Sequence, residues 1–218
     1  MIALNLKTYP ESIQKSLFFT DITKEVVDET GLRIVICPPA VFLHESADRF
    51  SDVFAQHADA EYAGAYTGSV SAEMLRAVKV KGSLLNHSEK RLGGMDKIKA
   101  TVDRLHEAGL ESLVCAATSV EAAEIAACTP TFIAVEPPEL IGSGVSVSRA
   151  QPGIVVNSVK AVKDANPRVK VLCGAGVSSR EDVAKALELG AEGVLLASAF
   201  VKAKDPKEFL RDLAGAFK

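Results

Sequence analysis

Short apolar, β-rich runs alternate along this chain with longer segments of helical period. The runs lie at Ile2–Leu6, Arg33–Cys37, Val53–Gln56, Ser83–Asn86, Ser112–Ala116, Phe132–Glu136, Lys170–Cys173 and Gly193–Leu196, and each predicts a strand. Between them, Ile98, Val102 and Leu105 share one helical face while Lys97, Lys99, Asp103 and Arg104 take the others. A further helix is predicted to open on a Ser178-x-x-Glu181 capping box, to turn Val183, Ala186 and Leu187 inward, and to stop at Gly190. Eight βα units of about 27 residues each fit a closed parallel barrel, whose strands are covered on both faces and so read as continuous apolar runs. The expectation is an α/β, single-domain (βα)8 barrel over residues 1–218, with eight parallel strands. A doubly wound sheet would show the same alternation, but its dinucleotide fingerprint needs a third glycine that Gly174-Ala-Gly176-Val-Ser-Ser179 lacks.

Composition narrows the function. With 48% hydrophobic and 24% charged residues, 15 Gly and 9 Pro, the chain is neither disordered nor collagen-like. Area scaling predicts roughly 9,600 Å² of folded surface, with about 71% of the unfolded surface buried, enough for one sizeable core. A net charge of −3 with scattered Lys and Arg argues against a nucleic-acid partner. The longest apolar run, Val194–Val201, falls far short of the about 18 residues that span a bilayer, so no membrane segment is expected. Met1 leads into Ile2-Ala3-Leu4 without a basic leader, which points to a cytoplasmic location. Cys37, Cys115, Cys128 and Cys173 form no CxxC pair, so neither a zinc site nor a disulfide framework is expected, and all four are read as reduced and mostly buried.

In a barrel the site forms at the carboxyl ends of the strands. Asn5 and Lys7 close the first, Gln56 and His57 the third, Asn86, His87 and Glu89 the fourth, Cys115 the fifth and Glu136 the sixth. Glu136 follows Phe132-Ile133-Ala134-Val135, where desolvation would raise its pKa toward the basicity needed to take a carbon-bound proton. A carboxylate paired with a lysine or capping a loop would look the same in isolation. Ser88-Glu89-Lys90-Arg91 reads as a first helical turn, whose N-terminus would disfavour an imidazolium at His87 and leave the ring neutral. His44, His57 and His106 are read as packing or surface residues. Lys7 is either a solvated strand-end lysine or the fixed positive charge that a phosphorylated substrate needs. Glycine-containing or small-residue turns after the last three strands, Ile141-Gly142-Ser143-Gly144, Gly174-Ala175-Gly176 and Ala197-Ser198, together make a phosphate cradle of backbone N–H groups.

Four motifs carry a resemblance over the whole chain. Asn5-Leu6-Lys7, Gly64-Ala65-Tyr66-Thr67-Gly68, Asn86-His87-Ser88-Glu89 and Val135-Glu136-Pro137-Pro138-Glu139-Leu140-Ile141-Gly142-Ser143-Gly144 resemble the triosephosphate isomerase family, and Cys173-Gly-Ala-Gly with the compact length resembles its archaeal form. The resemblance implies a TIM barrel that interconverts dihydroxyacetone phosphate and glyceraldehyde 3-phosphate through an enediolate, with no cofactor and no metal. A glutamate base beside a neutral histidine is this family's own standard example and is carried over with the resemblance. It makes Glu136 the base and His87 the group that polarises the carbonyl, with Asn5, Leu6 and Lys7 against the substrate. Glu89 would position Lys7, and Cys115 would pack beside Glu136. Phosphate would sit on the N–H groups of Gly142, Gly176, Ala197 and Ser198, under a lid from Pro137 to about Gly144 that includes Ile141.

Departures from the commoner pattern are Cys173 where relatives have a lid-latching Tyr, Asn86 where they have Gly, and Pro138-Glu139-Leu140 in the lid. The short chain implies truncated helices and uncovered apolar surface. The 64–68 loop resembles an arm that reaches into a neighbouring subunit near Asn5 and Lys7 with Thr67 foremost, so a homo-oligomer is expected, a dimer or rather a tetramer. Another phosphate-binding barrel enzyme, such as a phosphosugar isomerase of tryptophan synthesis or a thiamine phosphate synthase, and a non-catalytic barrel remain as alternatives to be separated by the site.

Overall fold

The computed structural model describes residues 1–137 and 146–217. Strands and helices alternate: β1 (Ile2–Asn5), α1 (Pro10–Thr30), β2 (Ile34–Cys37), α2 (Leu43–Arg49), β3 (Phe54–Ala55), α3 (Ala72–Ala77), β4 (Gly82–Leu85), α4 (Met95–Glu107), β5 (Glu111–Ala116) and α5 (Ser119–Ala127). The second half continues with β6 (Phe132–Val135), α6 (Val147–Ala150), α7 (Pro152–Ala165), β7 (Lys170–Cys173), α8 (Arg180–Glu188), β8 (Gly193–Leu196), α9 (Ser198–Val201) and α10 (Pro206–Ala214).

The eight described strands pair in parallel in the order β2-β1-β8-β7-β6-β5-β4-β3. A parallel bridge between Ile36 and Val53, with the Ile36 N–H on the Asp52 carbonyl at 3.1 Å, brings the two ends of that order together and makes the expected (βα)8 barrel. Alternate strand residues face inward and outward. Ala3, Val35, Phe54, Leu84, Leu113, Phe132, Ala134, Leu172 and Leu195 fill the interior, while Ile2, Leu4, Ile34, Ile36, Val114 and Ile133 pack under the helices. Both faces being buried is why the strands read as unbroken apolar runs. The folded surface is 9547 Å², in line with the scaling expectation. The helical cover is thinnest after β3, where α3 has six residues.

Three local expectations are corrected. The capping box belongs to Ser179 and Asp182, not to Ser178 and Glu181. Both pairs have the same spacing, but Asp182 is buried and its Oδ2 accepts from the N–H groups of Ser178 and Ser179 at 2.9 and 3.1 Å, which selects that register. Arg104, placed off the apolar face of its helix, is nonetheless buried: its guanidinium lies 3.5 Å from the Tyr62 ring centre and pairs with Glu73 and Glu107, so cation–π and ionic contacts together cover it. The segment after His87 is a turn closed by the Lys90 N–H on the His87 carbonyl at 2.7 Å, and α4 begins only at Met95. Among the described residues, no helix is long and apolar enough to cross a membrane.

Candidate active site

Glu136 is the first residue past β6, and its N–H extends the ladder to the Ala116 carbonyl at 2.9 Å. The strand therefore delivers its carboxylate to the barrel mouth, where the residue is 8% exposed. Burial pushes the carboxyl up to about 7, against the pull of the Cys115 thiol and the Lys7 charge. Cys115 Sγ donates to Oε2 over 3.4 Å. Among the described residues, Gly174 is what leaves room for this carboxylate. A Cβ there would come within 2.9 Å of Glu136 Cγ and 3.0 Å of the Leu195 carbonyl oxygen. The sequence suggested only a phosphate-turn role for that glycine.

His87 is buried, and its Nε2 lies 3.6 Å from Glu136 Oε2. Its other ring nitrogen, Nδ1, accepts the Glu89 N–H over 3.2 Å. An Nδ1 that accepts must carry no proton, so the proton sits on Nε2 and points at the mouth. Burial, then the Lys7 charge, lowers the His87 pKa. The ring is neutral as expected, but a backbone N–H of a tight turn and desolvation do this work; no helix N-terminus is there to do it.

Lys7 adopts a left-handed backbone, φ +48°, that ends β1. Its own N–H donates to Asn5 Oδ1 over 3.0 Å, and Gln56 Nε2 donates to its carbonyl over 3.0 Å and to that of Cys37 over 2.9 Å. These bonds over-determine the strained residue. Nζ reaches Glu89 Oε1 at 2.7 Å. His57 pairs with Asp59, 2.9 Å away, and does not line the cavity at the mouth.

These residues enclose one side of a cavity of ≈ 300 Å³, with Asn5, Lys7, His87 and Glu136 facing Gly176, Ala197 and Ser198. Gly176 holds a positive φ of +76°, and the first amides of α9 have no intrahelical acceptor. Tyr9 and Lys202 also line the cavity, with Lys202 Nζ 5.0 Å from the Tyr9 ring centre; neither stood out in the sequence. Leu6, expected against the substrate, instead packs its side chain between the barrel and the helices, because its position in the alternation points outward. Thr67 is exposed and does not line the cavity of its own chain. Ile141 and Gly142, with the expected lid from residue 138 on, lie outside the described residues.

The four cysteines are free and buried. Burial holds Cys37 and Cys173 up at about 12 and Cys115 well above the ordinary thiol range, so all three are thiols at neutral pH. Among the described residues, no group of three or more His, Cys, Asp or Glu side chains converges as a metal site.

Comparison with known proteins places this geometry. The family model described as Triosephosphate isomerase matches residues 1–214. The chain is 48% identical to the triosephosphate isomerase of Archaeoglobus fulgidus over 217 residues, covering 99% of this chain and 97% of that protein. It is 46% identical to that of Methanothermobacter thermautotrophicus over 215 residues, 98% and 93% of the two chains. A crystal structure of triosephosphate isomerase from Bartonella henselae superposes with a TM-score of 0.73 at 21% identity, covering 96% of each chain, a likeness of fold.

Proposed function

The chain belongs to the triosephosphate isomerase family, of the archaeal type, and we propose that Glu136 is the base with which it performs the family's reaction. The enzyme interconverts dihydroxyacetone phosphate and D-glyceraldehyde 3-phosphate, a step of glycolysis and gluconeogenesis. Its substrate is a small phosphorylated triose. The observation that carries the assignment is a carboxylate poised at about 7 beside a neutral imidazole whose Nε2 is 3.6 Å away, in one cavity with Lys7.

Near neutral pH the ionised form of such a carboxyl is within reach, and the carboxylate can take a proton from one carbon of the bound ketose and return it to the neighbouring carbon. His87 Nε2–H donates to the carbonyl oxygen as charge builds on it, and moves the proton between the two oxygens of the enediolate. A neutral donor suits this role because its strength lies near that of the enediol. Lys7 and Asn5 stabilise the oxyanion, Glu89 and Gln56 hold Lys7 in place, and Gly176, Ala197 and Ser198 offer backbone donors to the phosphate. We extend the phosphate site to Gly142 and the lid to Ile141 on the strength of the motif. No cofactor or metal enters this reading, and the barrel is taken as one domain over residues 1–218. Replacing Glu136 by Gln tests it: glyceraldehyde 3-phosphate turnover in a coupled assay falls by at least about a thousandfold, while a phosphate analogue still binds. Retained turnover overturns the assignment.

We infer a homo-oligomer, a dimer or rather a tetramer. Val41, Tyr62 and Tyr66 are 83%, 61% and 54% exposed in the single chain, and Thr67, next to Tyr66, is exposed and lines no part of its own chain's cavity, as an arm for a second copy would. Sedimentation at several concentrations that shows only a 23 kDa species would remove this inference. Four free cysteines fit a cytoplasmic location.

A further inference from the structure

Asn86 joins β4 to His87 in a left-handed backbone conformation, φ +57°. Glycine meets that requirement freely, and asparagine is among the few other residues that do so at small cost. The side chain goes beyond it. Buried at 3% exposure, its Nδ2 donates to the Cys115 carbonyl over 3.1 Å and to Glu121 Oε1 over 3.3 Å, and its Oδ1 accepts the Leu92 N–H over 3.2 Å. Glu121, in the first turn of α5, also accepts from Arg91 Nη1 at 2.6 Å and from the Ala117 N–H at 2.7 Å. One amide thus ties the end of β4 to the end of β5 and to the start of α5. Those two strand ends carry the groups that meet on a single atom, since His87 Nε2 and Cys115 Sγ lie 3.6 and 3.4 Å from Glu136 Oε2.

A second feature lies on the same side. A partly open void of ≈ 10 Å³ is lined by Asn86, Arg91, Cys115 and Glu136 among others, about the smallest space that admits one water.

We propose that Asn86 is a positioning residue for the isomerisation: through the Cys115 carbonyl and Glu121 it sets the spacing of His87 and Glu136, and it limits the water that can reach Glu136 through that void. This rests on Glu136 as base and His87 as its partner. Without the amide, the junction of the two strand ends loosens and the void widens, so the carboxylate gains hydration and titrates closer to an ordinary glutamate. The titratable and charged groups around Glu136 are Cys115 on β5, His87 and Glu89 after β4, Lys7 after β1, Cys173 on β7, and Arg91 across the void. A change at Asn86 alters the identity of none of them.

The wild type is first assayed with glyceraldehyde 3-phosphate beside Glu136→Gln; an inactive wild type or an active variant fails the underlying reading and is seen before Asn86 is touched. Asn86→Gly then keeps the backbone conformation and removes only the amide. Its kcat falls roughly tenfold or more with KM within about twofold, and the acid limb of its kcat profile moves to lower pH. Unchanged kcat with an unmoved limb would leave Asn86 a backbone device and overturn the proposal. Asn86→Asp sets a carboxylate against Glu121 and the Cys115 carbonyl and falls further, and adding Glu121→Gln recovers part of the loss. Should Asn86→Gly fail to fold, that second pair decides alone, with absence of recovery counting against the proposal.

Discussion

Cys115 Sγ donates to Glu136 Oε2 over 3.4 Å from the last turn of alternation on β5, so a thiol that never ionises near neutral pH helps set when a carboxylate does. The bond favours the charged carboxylate and holds the Glu136 pKa below where burial alone would put it. Cys115→Ala therefore moves the acid limb of kcat/KM to higher pH, and activity at pH 6 falls more than at pH 8. A limb that stays in place means the thiol contributes packing alone.

Glu136 itself gives two pH dependences of opposite sign. With Glu136 as the proposed base, activity needs the carboxylate, and kcat/KM declines as pH falls through about 7. Stability behaves otherwise. An acid whose folded pKa exceeds its ordinary value binds more protons folded than unfolded, so its contribution to stability declines as pH rises from 4.5 to about 7 and stays low above. Glu136→Gln is accordingly more resistant to heat than the wild type at pH 8, by on the order of 1–3 kcal/mol, and the advantage shrinks at pH 5. Melting curves at the two pH values check it; a variant less stable at pH 8 would contradict the buried-charge account.

Gly174 leaves no space for a methyl group beside Glu136 Cγ and the Leu195 carbonyl. Gly174→Ala pushes the carboxylate away from His87, and kcat falls by at least about tenfold for a stability loss of about 1–3 kcal/mol. Kinetics alongside denaturant unfolding separate the two. Full activity in the folded variant would show that Glu136 does not need its present place.

Glu89 tethers Lys7 Nζ while its backbone N–H holds the His87 tautomer. Glu89→Gln keeps the backbone bond, weakens the tether and removes a charge that raises the His87 pKa, so kcat/KM falls roughly tenfold and the histidine remains neutral. Nitrogen-15 chemical shifts of the imidazole report the second half of that statement directly. A protonated ring in the variant, or wild-type kcat/KM, would reassign what Glu89 does.

Strand order and type were legible from the chain because barrel strands are apolar on both faces. Each observed strand lies within one residue of its predicted ends. The small differences have local causes, such as the left-handed Lys7 and Asn86 that stop β1 and β4 one residue early. Most residues of the mouth were legible too, since the carboxyl ends of barrel strands converge on one mouth, although His57 and Asn86 turn to other partners.

Other features were decided only in three dimensions. Asn5, Lys7, His87 and Glu136 could be named from their strand ends, but not the reason His87 is neutral, the hold of Gln56 on Lys7, the room Gly174 leaves for Glu136, or the burial of Arg104 under Tyr62. Hydrophobic periodicity reports the burial of a residue relative to its neighbours in the chain. Ionisation and hydrogen bonding depend on partners that folding brings together: Lys7 and Glu89 are 82 positions apart, Lys7 and Gln56 49, Asn86 and Cys115 29, and Cys115 and Glu136 21. The sequence alone determines the barrel and the side chains at its mouth; closure of the barrel sets their distances, their protons and their strengths.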